Sequence, residues 1–202
     1  MMAKIVAVEN VSLDGVMQSP GRADEDTRGG FLHGGWATAL LGADPEAAQA
    51  AMSGRGGTAA LLFGHRTYRD LVGHWLGTTE PNPFSEVLRR TPKHVASRSA
   101  RTELPHPKSE LLEPDAQGDA VEAVRRLRSS LDGEIVILGS GELVRSLASA
   151  DLIDEYLLTI LPVVLGSGTR LFAERYAALE VVSSFTSPTG IVVATYAVAR
   201  PS

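Results

Sequence analysis

Short, almost uninterrupted apolar runs that end in glycine and lead into helical spacing constrain this chain most. Thr58–Phe63 (TAALLF) runs into Gly64, and Glu134–Leu138 (EIVIL) runs into Gly139–Ser140–Gly141. After the first, Tyr68, Leu71, Val72 and Trp75 recur at spacings of three and four, which predicts a helix over His65–Trp75. After the second, Glu142–Ser149 has helix-forming composition. Strands that are apolar throughout, rather than alternating, are covered on both faces. Strand, helix and strand in succession require a parallel sheet with helices packed on it, so the class is α/β.

The remaining elements extend that plan. Lys4–Val11 (KIVAVENV) reads as a buried first strand followed by a turn at Ser12–Gly15. Gln18–Gly35 is polar and glycine-bearing, too long for a simple connection, and reads as a lid or binding loop. Trp36–Leu41 and Pro45–Met52 read as helices, the second with Asp44 as N-cap and Pro45 at its first position. Further along come a short helix at Pro83–Arg90, a strand at Lys93–Ser97 and an edge strand at Ser109–Leu112. A helix over Asp119–Leu131 follows, capped by Asp119. Gly77–Ser85 is a turn-rich connection. Leu152–Val164 contains a long strand, Leu165–Leu171 is a glycine loop, and Leu179–Thr186 and Ile191–Ala199 form a hairpin about Ser187–Gly190. No linker or repeat divides the chain, so residues 1–202 are expected to form one domain.

Composition excludes several functions. The chain has no cysteine, which removes disulfides, thiolate metal sites and a cysteine nucleophile. Its net charge of −5 excludes attachment to nucleic acid by bulk charge. No run approaches the ~18 apolar residues of a membrane span, and the N-terminus makes a poor signal peptide. The expectation is a cytoplasmic protein without membrane or nucleic-acid partners. The five histidines, His33, His65, His74, His94 and His106, form no HExxH or clustered pair, so no metal is expected.

Glycine at a strand's carboxyl end lets a phosphate approach the backbone and the positive end of a helix. Gly64–His65–Arg66–Thr67, Gly139–Ser140–Gly141 and Gly166–Ser167–Gly168 are placed for this, although glycine also serves ordinary tight turns. Arg98, closing Val95–Ala96–Ser97–Arg98, could grip a phosphate or stand solvated. No G-x-G-x-x-G follows the first strand, no Walker loop is present, and Gly139–Ser140–Gly141 is not an esterase elbow. Asp14 could brace its turn or meet a substrate. Trp36 and Phe31 could stack on a planar ring or fill the core.

Read in order, these pieces resemble the dihydrofolate-reductase-like superfamily, most closely the reductase C-terminal domain group of riboflavin biosynthesis. The matching stretches are Ser12–Gly15, Gly64–Tyr68, Val95–Arg98, Leu138–Leu143, Asp151–Tyr156, Pro162–Gly168, Leu171–Phe172 and the terminal hairpin. The resemblance implies a three-layer fold with a central, mostly parallel eight-stranded sheet and an antiparallel C-terminal hairpin. It implies NADPH as cofactor. Gly64, Arg66 and Thr67 would lie by the phosphates, and Ser97 and Arg98 by the adenosine ribose and its 2′-phosphate. Gly139, Ser140, Gly141, Glu142 and Leu143 would face the pyrophosphate and nicotinamide. Asp14 and Gly15 would begin the mobile loop over the nicotinamide and Thr159 would line the substrate pocket, with Trp36, read from the residue alone, as a further candidate for substrate contact.

The helix at Trp36–Leu41 has no acid where folate reductases carry one, so the proton would come from solvent or a loop acid among Asp24, Glu25 and Asp26. The expected function is an NADPH-dependent reductase acting on a C=N or C=O group of a small heterocycle, pyrimidine- or pterin-like, as a homodimer. The alternative is a non-catalytic NADP(H)-binding or sensor module on the same fold.

Overall fold

The computed structural model describes residues 2–52, 57–79, 83–172 and 176–199. Eight strands form one sheet in the order β4-β3-β2-β5-β1-β6-β8-β7. They are β1 (Lys4–Ser12), β2 (Thr58–Gly64), β3 (Lys93–Ala96), β4 (Ser109–Leu112), β5 (Glu134–Leu138), β6 (Glu155–Leu161), β7 (Leu179–Thr186) and β8 (Val192–Val198). The chain divides into two compact units, Met1–Ala7 with Gly56–Ile153 and Val8–Arg55 with Asp154–Ser202.

The first unit carries the parallel pairs. β3 lies parallel to β2, β2 to β5 and β4 to β3, with Leu61 opposite Lys93 and Leu62 opposite Ile137. Carboxyl ends of β3, β2 and β5 therefore share one edge. Leu61, Leu62, Phe63, Val95, Ile135 and Ile137 are buried, as near-continuous apolar strands require. Helix α3 (His65–Thr67) passes through a π turn (Tyr68–Val72) into α4 (Gly73–Gly77). Tyr68 and Val72 are the buried positions of the helix predicted over His65–Trp75. The predicted Gly77–Ser85 connection lies partly outside the described residues, and its end is helical in α5 (Pro83–Arg90).

Lys93 opens β3 fully buried, and its Nζ donates to the carbonyls of Leu88 (2.6 Å) and Thr91 (3.1 Å) at the end of α5. An ammonium satisfies carbonyls left open at a helix C-terminus. α6 (Val121–Ser130) starts two residues later than predicted, because Asp119 Oδ1 accepts the Val121 N–H as a turn instead of capping a helix. α7 (Gly141–Ser149) follows β5.

The second unit holds α1 (Trp36–Gly42), α2 (Pro45–Met52), β6 and the β7–β8 hairpin. β8 pairs antiparallel with both β6 and β7. Asp44 caps α2 as predicted, accepting the Ala47 N–H at 2.9 Å. It also accepts the Thr189 hydroxyl from the hairpin turn, so one carboxylate ties helix to hairpin. Donation from Ser187 and Thr189 holds its pKa below the usual carboxylate value. β6 lies within the stretch Leu152–Val164 expected to contain a strand, and ends before Pro162, which has no N–H for the ladder. Gly166 and Gly168 therefore sit in a loop beyond the strand end, not directly at it.

Candidate functional site

In the first unit, the ends of β2 and β5 meet. Gly139 lies at φ 62° and Ser140 at φ 69°, ψ 47°, so two successive residues turn left-handed before α7 begins at Gly141. The Ser140 hydroxyl is drawn off the helix and accepts the Gly64 N–H at 2.9 Å. Turned away in this way, the Ser140 side chain makes no cap bond to α7. A Cβ on Gly139 would press on Thr67 Cγ2 at 3.2 Å, whereas one on Gly64 would make ordinary contact with Ser140 Oγ at 3.5 Å and Leu143 Cβ at 4.0 Å. Gly64, Thr67, Gly139, Ser140 and Leu143 are thus brought together, with Gly141 buried at the helix start.

Arg66 is exposed on α3 beside this junction. Ser97 and Arg98 follow β3, the next strand along the edge. The Ser97 hydroxyl is engaged locally, 2.7 Å from Thr102 Oγ1 and 3.2 Å from the Ser99 N–H it accepts. The Arg98 side chain is 87% exposed, and its Nη2 lies 3.5 Å from Glu142 Oε2 in the first turn of α7. An exposed pair at that separation binds weakly and is readily exchanged for another anion. The Arg98 stem rests against Gly118, whose Cβ, if present, would lie 3.5 Å from Arg98 Cβ. Two glycines at strand ends, a helix start whose N-cap makes no side-chain bond and an exposed guanidinium thus lie along the carboxyl ends of β3, β2 and β5.

The second unit places the residues expected to meet substrate. Asp14 braces two loops. Oδ1 accepts the Ser12 hydroxyl at 2.6 Å and the Leu165 N–H at 3.1 Å, and Oδ2 accepts the Gly166 N–H at 2.9 Å. Arg170 Nε donates to its carbonyl at 2.9 Å. The donors to the carboxylate, Ser12 foremost and then Leu165 and Gly166, pull its pKa down to about 2. Gly15 makes the accompanying turn at φ 79°, its N–H donating to the Ser12 carbonyl at 2.9 Å. Thr159 is 3% exposed within β6, opposite Val193.

Trp36 is a correction. It is 8% exposed and packs with Val16, Phe31, Ala37, Ala47, Leu161 and Ile191. Its indole N–H donates to the Gln18 carbonyl at 2.9 Å. The ring anchors the loop in the core, and Phe31 is buried beside it.

The Gln18–Gly35 loop is tied down rather than free. Gln18 Nε2 donates to the carbonyls of Asp26 (3.1 Å) and Arg28 (2.9 Å), while Oε1 accepts the Thr169 N–H at 2.9 Å. Two loop acids are committed to it. Glu25 Oε2 accepts the N–H groups of Gly21 and Arg22, and Asp26 pairs with Arg28. Asp24 is exposed, 3.7 Å from Arg22 Nε. Sequence reasoning found no buried acid, yet Glu9 is 5% exposed in β1. Its signal was an acid inside the apolar run KIVAVENV. Among the described residues, no group of three His, Cys, Asp or Glu could hold a metal, and no helix is long and apolar enough to cross a membrane.

The chain matches the RibD C-terminal domain family over residues 3–193. It is 27% identical over 147 residues to YyaP of Bacillus subtilis (strain 168), covering 67% of this chain and 72% of that protein. A shorter stretch of 49 residues is 47% identical to YwjB of the same organism, and covers 24% of this chain and 28% of that one. Among solved structures, the dihydrofolate reductase from Enterococcus faecalis complexed with NADP(H) superposes with a TM-score of 0.59 at 14% identity, covering 99% of this chain and 100% of that one. At that identity the likeness speaks for the fold alone. A family match over nearly the whole chain, on this strand order, places the chain in the RibD C-terminal domain family as an oxidoreductase with a dihydrofolate-reductase-like fold.

Proposed function

We propose that the chain is an NADPH-dependent reductase that delivers a hydride to a C=N or C=O carbon of a small pyrimidine- or pterin-like heterocycle. The observation that carries this reading is the paired left-handed turn at Gly139–Ser140, which sends the Ser140 hydroxyl to Gly64 and leaves the start of α7 open. Those residues fit a dinucleotide phosphate: glycine stands at both strand ends, and Ser140 makes no side-chain cap bond to α7. Gly64, Arg66 and Thr67 would hold one phosphate, and Gly139, Ser140, Gly141, Glu142 and Leu143 the pyrophosphate and nicotinamide side. Ser97 and Arg98 would take the adenosine ribose and its 2′-phosphate. When bound, the cofactor supplies the hydride, and the protein supplies orientation and electrostatics. On the substrate side, Asp14 and Gly15 act by shaping their loop and Thr159 by lining the strand. Solvent supplies the proton, since Glu25 and Asp26 are committed to their own loop. The protein works in the cytoplasm as a homodimer.

Nicotinamide fluorescence during titration with NADPH tests the cofactor assignment. NADPH binds, and Arg98→Ala weakens it about tenfold while leaving NADH unchanged, the size of one charge-assisted hydrogen bond. Absence of binding at millimolar NADPH ends this reading. The second reading, an NADP(H)-binding sensor, is favoured by the lack of any acid in α1 (WATALLG). Oxidation of bound NADPH on presentation of pyrimidine, pterin or carbonyl compounds decides between them.

A further inference from the structure

In the second unit, the loops past the carboxyl ends of β1 and β6 make one platform. The Leu13 N–H donates to the Val163 carbonyl, Met17 to that of Thr169 and Leu171 to that of Gly15, each at 2.9 Å. Asp14 adds its bonds to Leu165 and Gly166. Phe31 holds the long loop to the same platform, since a Cβ on Gly168 would stand 2.8 Å from its ring. Three outward side chains here are aliphatic: Leu13 is 64% exposed, Val164 69% and Leu32 88%. Leu13 and Val164 are neighbours through the Leu13–Val163 bond, and Leu32 follows Phe31. One exposed leucine is ordinary. Three aliphatic side chains around the turn that carries Asp14 and Gly15 form a patch that a ligand can cover.

Charge in this unit points the same way. Residues 8–55 and 154–202 hold eleven Asp and Glu against six Arg and no Lys, so the net charge of −5 resides entirely there. Three of the six arginines lie among the described residues, and each has an acid beside it. Arg28 Nε donates to Asp26 Oδ1 at 2.8 Å, and its Nη2 donates to Oδ2. Arg170 Nε donates to the Asp14 carbonyl at 2.9 Å, with Nη2 3.7 Å from Asp14 Oδ2. Arg22 Nε lies 3.7 Å from Asp24, beside the run Asp24–Glu25–Asp26. Drawing any of these guanidiniums onto an incoming anion uncovers a carboxylate next to it. An anionic substrate therefore meets net repulsion at this platform.

We infer that the substrate is an uncharged heterocycle carrying an apolar substituent and no phosphate or carboxylate, and that the substituent lies over Leu13, Val164 and Leu32. This rests on the reductase reading above, which sets the substrate beside the Asp14–Gly15 turn, and it narrows the substrate class. The aliphatic side chains supply affinity through the area they bury, and the acidic excess supplies selectivity by rejecting anions.

Calorimetric titration of the NADPH-loaded full chain with matched ligands tests the inference. The ligands are 6-alkylaminouracils and 6-alkylpterins, each in methyl, ethyl, propyl and butyl forms and with the butyl chain ending in phosphate. On one scaffold or both, affinity rises by up to about fourfold per methylene. The phosphate-ended ligand binds about tenfold more weakly than its butyl counterpart, or worse. In Leu13→Ser/Val164→Ser the rise with chain length disappears while circular dichroism is unchanged. Leu13→Arg/Val164→Arg reverses the preference toward the phosphate-ended ligand. A phosphate-ended ligand that binds the unmodified protein as tightly as the butyl one overturns the exclusion of anions. Affinity that is flat along the alkyl series, or no alkyl binding at millimolar concentration on either scaffold, overturns the aliphatic contact, and the unmodified protein alone decides this. NADPH is titrated first on the same sample. If it fails to bind, the reductase reading falls, whereas NADPH binding followed by either adverse result removes this inference alone.

Discussion

Ser140 sits in a backbone region that disfavours any residue with a Cβ, at an expense of about 1–2 kcal/mol. The Gly64 N–H that its hydroxyl accepts offsets that strain and fixes β2 against α7. Ser140→Ala keeps the strained backbone and leaves the Gly64 N–H without its acceptor, a loss of about 1–3 kcal/mol. Ser140→Gly loses the same acceptor but relaxes the backbone, so it falls between Ala and the unmodified chain. Urea unfolding of the three proteins checks that order, and Ala and Gly of equal stability would contradict it. Gly139 was legible in the sequence because a positive φ selects glycine, and Gly64, in extended backbone, only by its place at a strand end. The conformation of Ser140 was not, since serine rarely adopts it and nothing adjacent announces it. Trp36 misled for a different reason. A tryptophan beside a loop has the same composition whether its ring faces ligand or core, and only the bond to the Gln18 carbonyl decides.

Between elements, single side chains do the fastening that backbone ladders do within them. Gln18 holds three backbone groups, drawn from Asp26, Arg28 and Thr169, and Asp14 joins the turn after β1 to the loop at Leu165–Gly166. Strands, helices and the hairpin were readable because burial on both faces, 3.6-residue spacing and turn chemistry each leave a local pattern. The bonds of Asp14 to Leu165 and of Gln18 to Thr169 were not, because those partners lie 151 residues apart along the chain. Asp14 makes one of them measurable. Its folded pKa, about 2, lies below the ordinary 3.8, so folding favours the ionised form. The resulting stability is fully present above the unfolded value and is lost as pH falls through the folded one. Thermal melts of the unmodified chain and Asp14→Asn therefore differ by a constant amount above pH 3.8 and converge as pH approaches 2. A difference that stays constant across that window would show that the carboxylate's charge plays no part in the brace.

At the scale of the whole molecule, β1 belongs to both compact units: Lys4–Ala7 to one and Val8–Ser12 to the other. In the sheet order it stands between β5 and β6. A strand cannot lose its second half without releasing the ends of its first, because ladder bonds form cooperatively along a continuous backbone. That continuity is the physical content of the single-domain expectation, and it predicts one unfolding transition instead of two. The chain carries its own reporters. Of its two tryptophans, Trp36 lies in the second unit and Trp75 in the first. Trp75→Phe leaves Trp36 as the only indole, buried in the loop anchor, and Trp36→Phe leaves Trp75 beside Phe84. Removing Trp36 lowers stability, because the core loses its largest side chain there along with the bond to Gln18. The comparison is therefore made within each variant, between indole fluorescence and far-ultraviolet circular dichroism along one urea titration. The two curves superimpose in both variants if β1 couples the units. If Trp75 fluorescence and circular dichroism separate while each curve stays sigmoidal, the units unfold independently, and the chain counts as two domains sharing a strand.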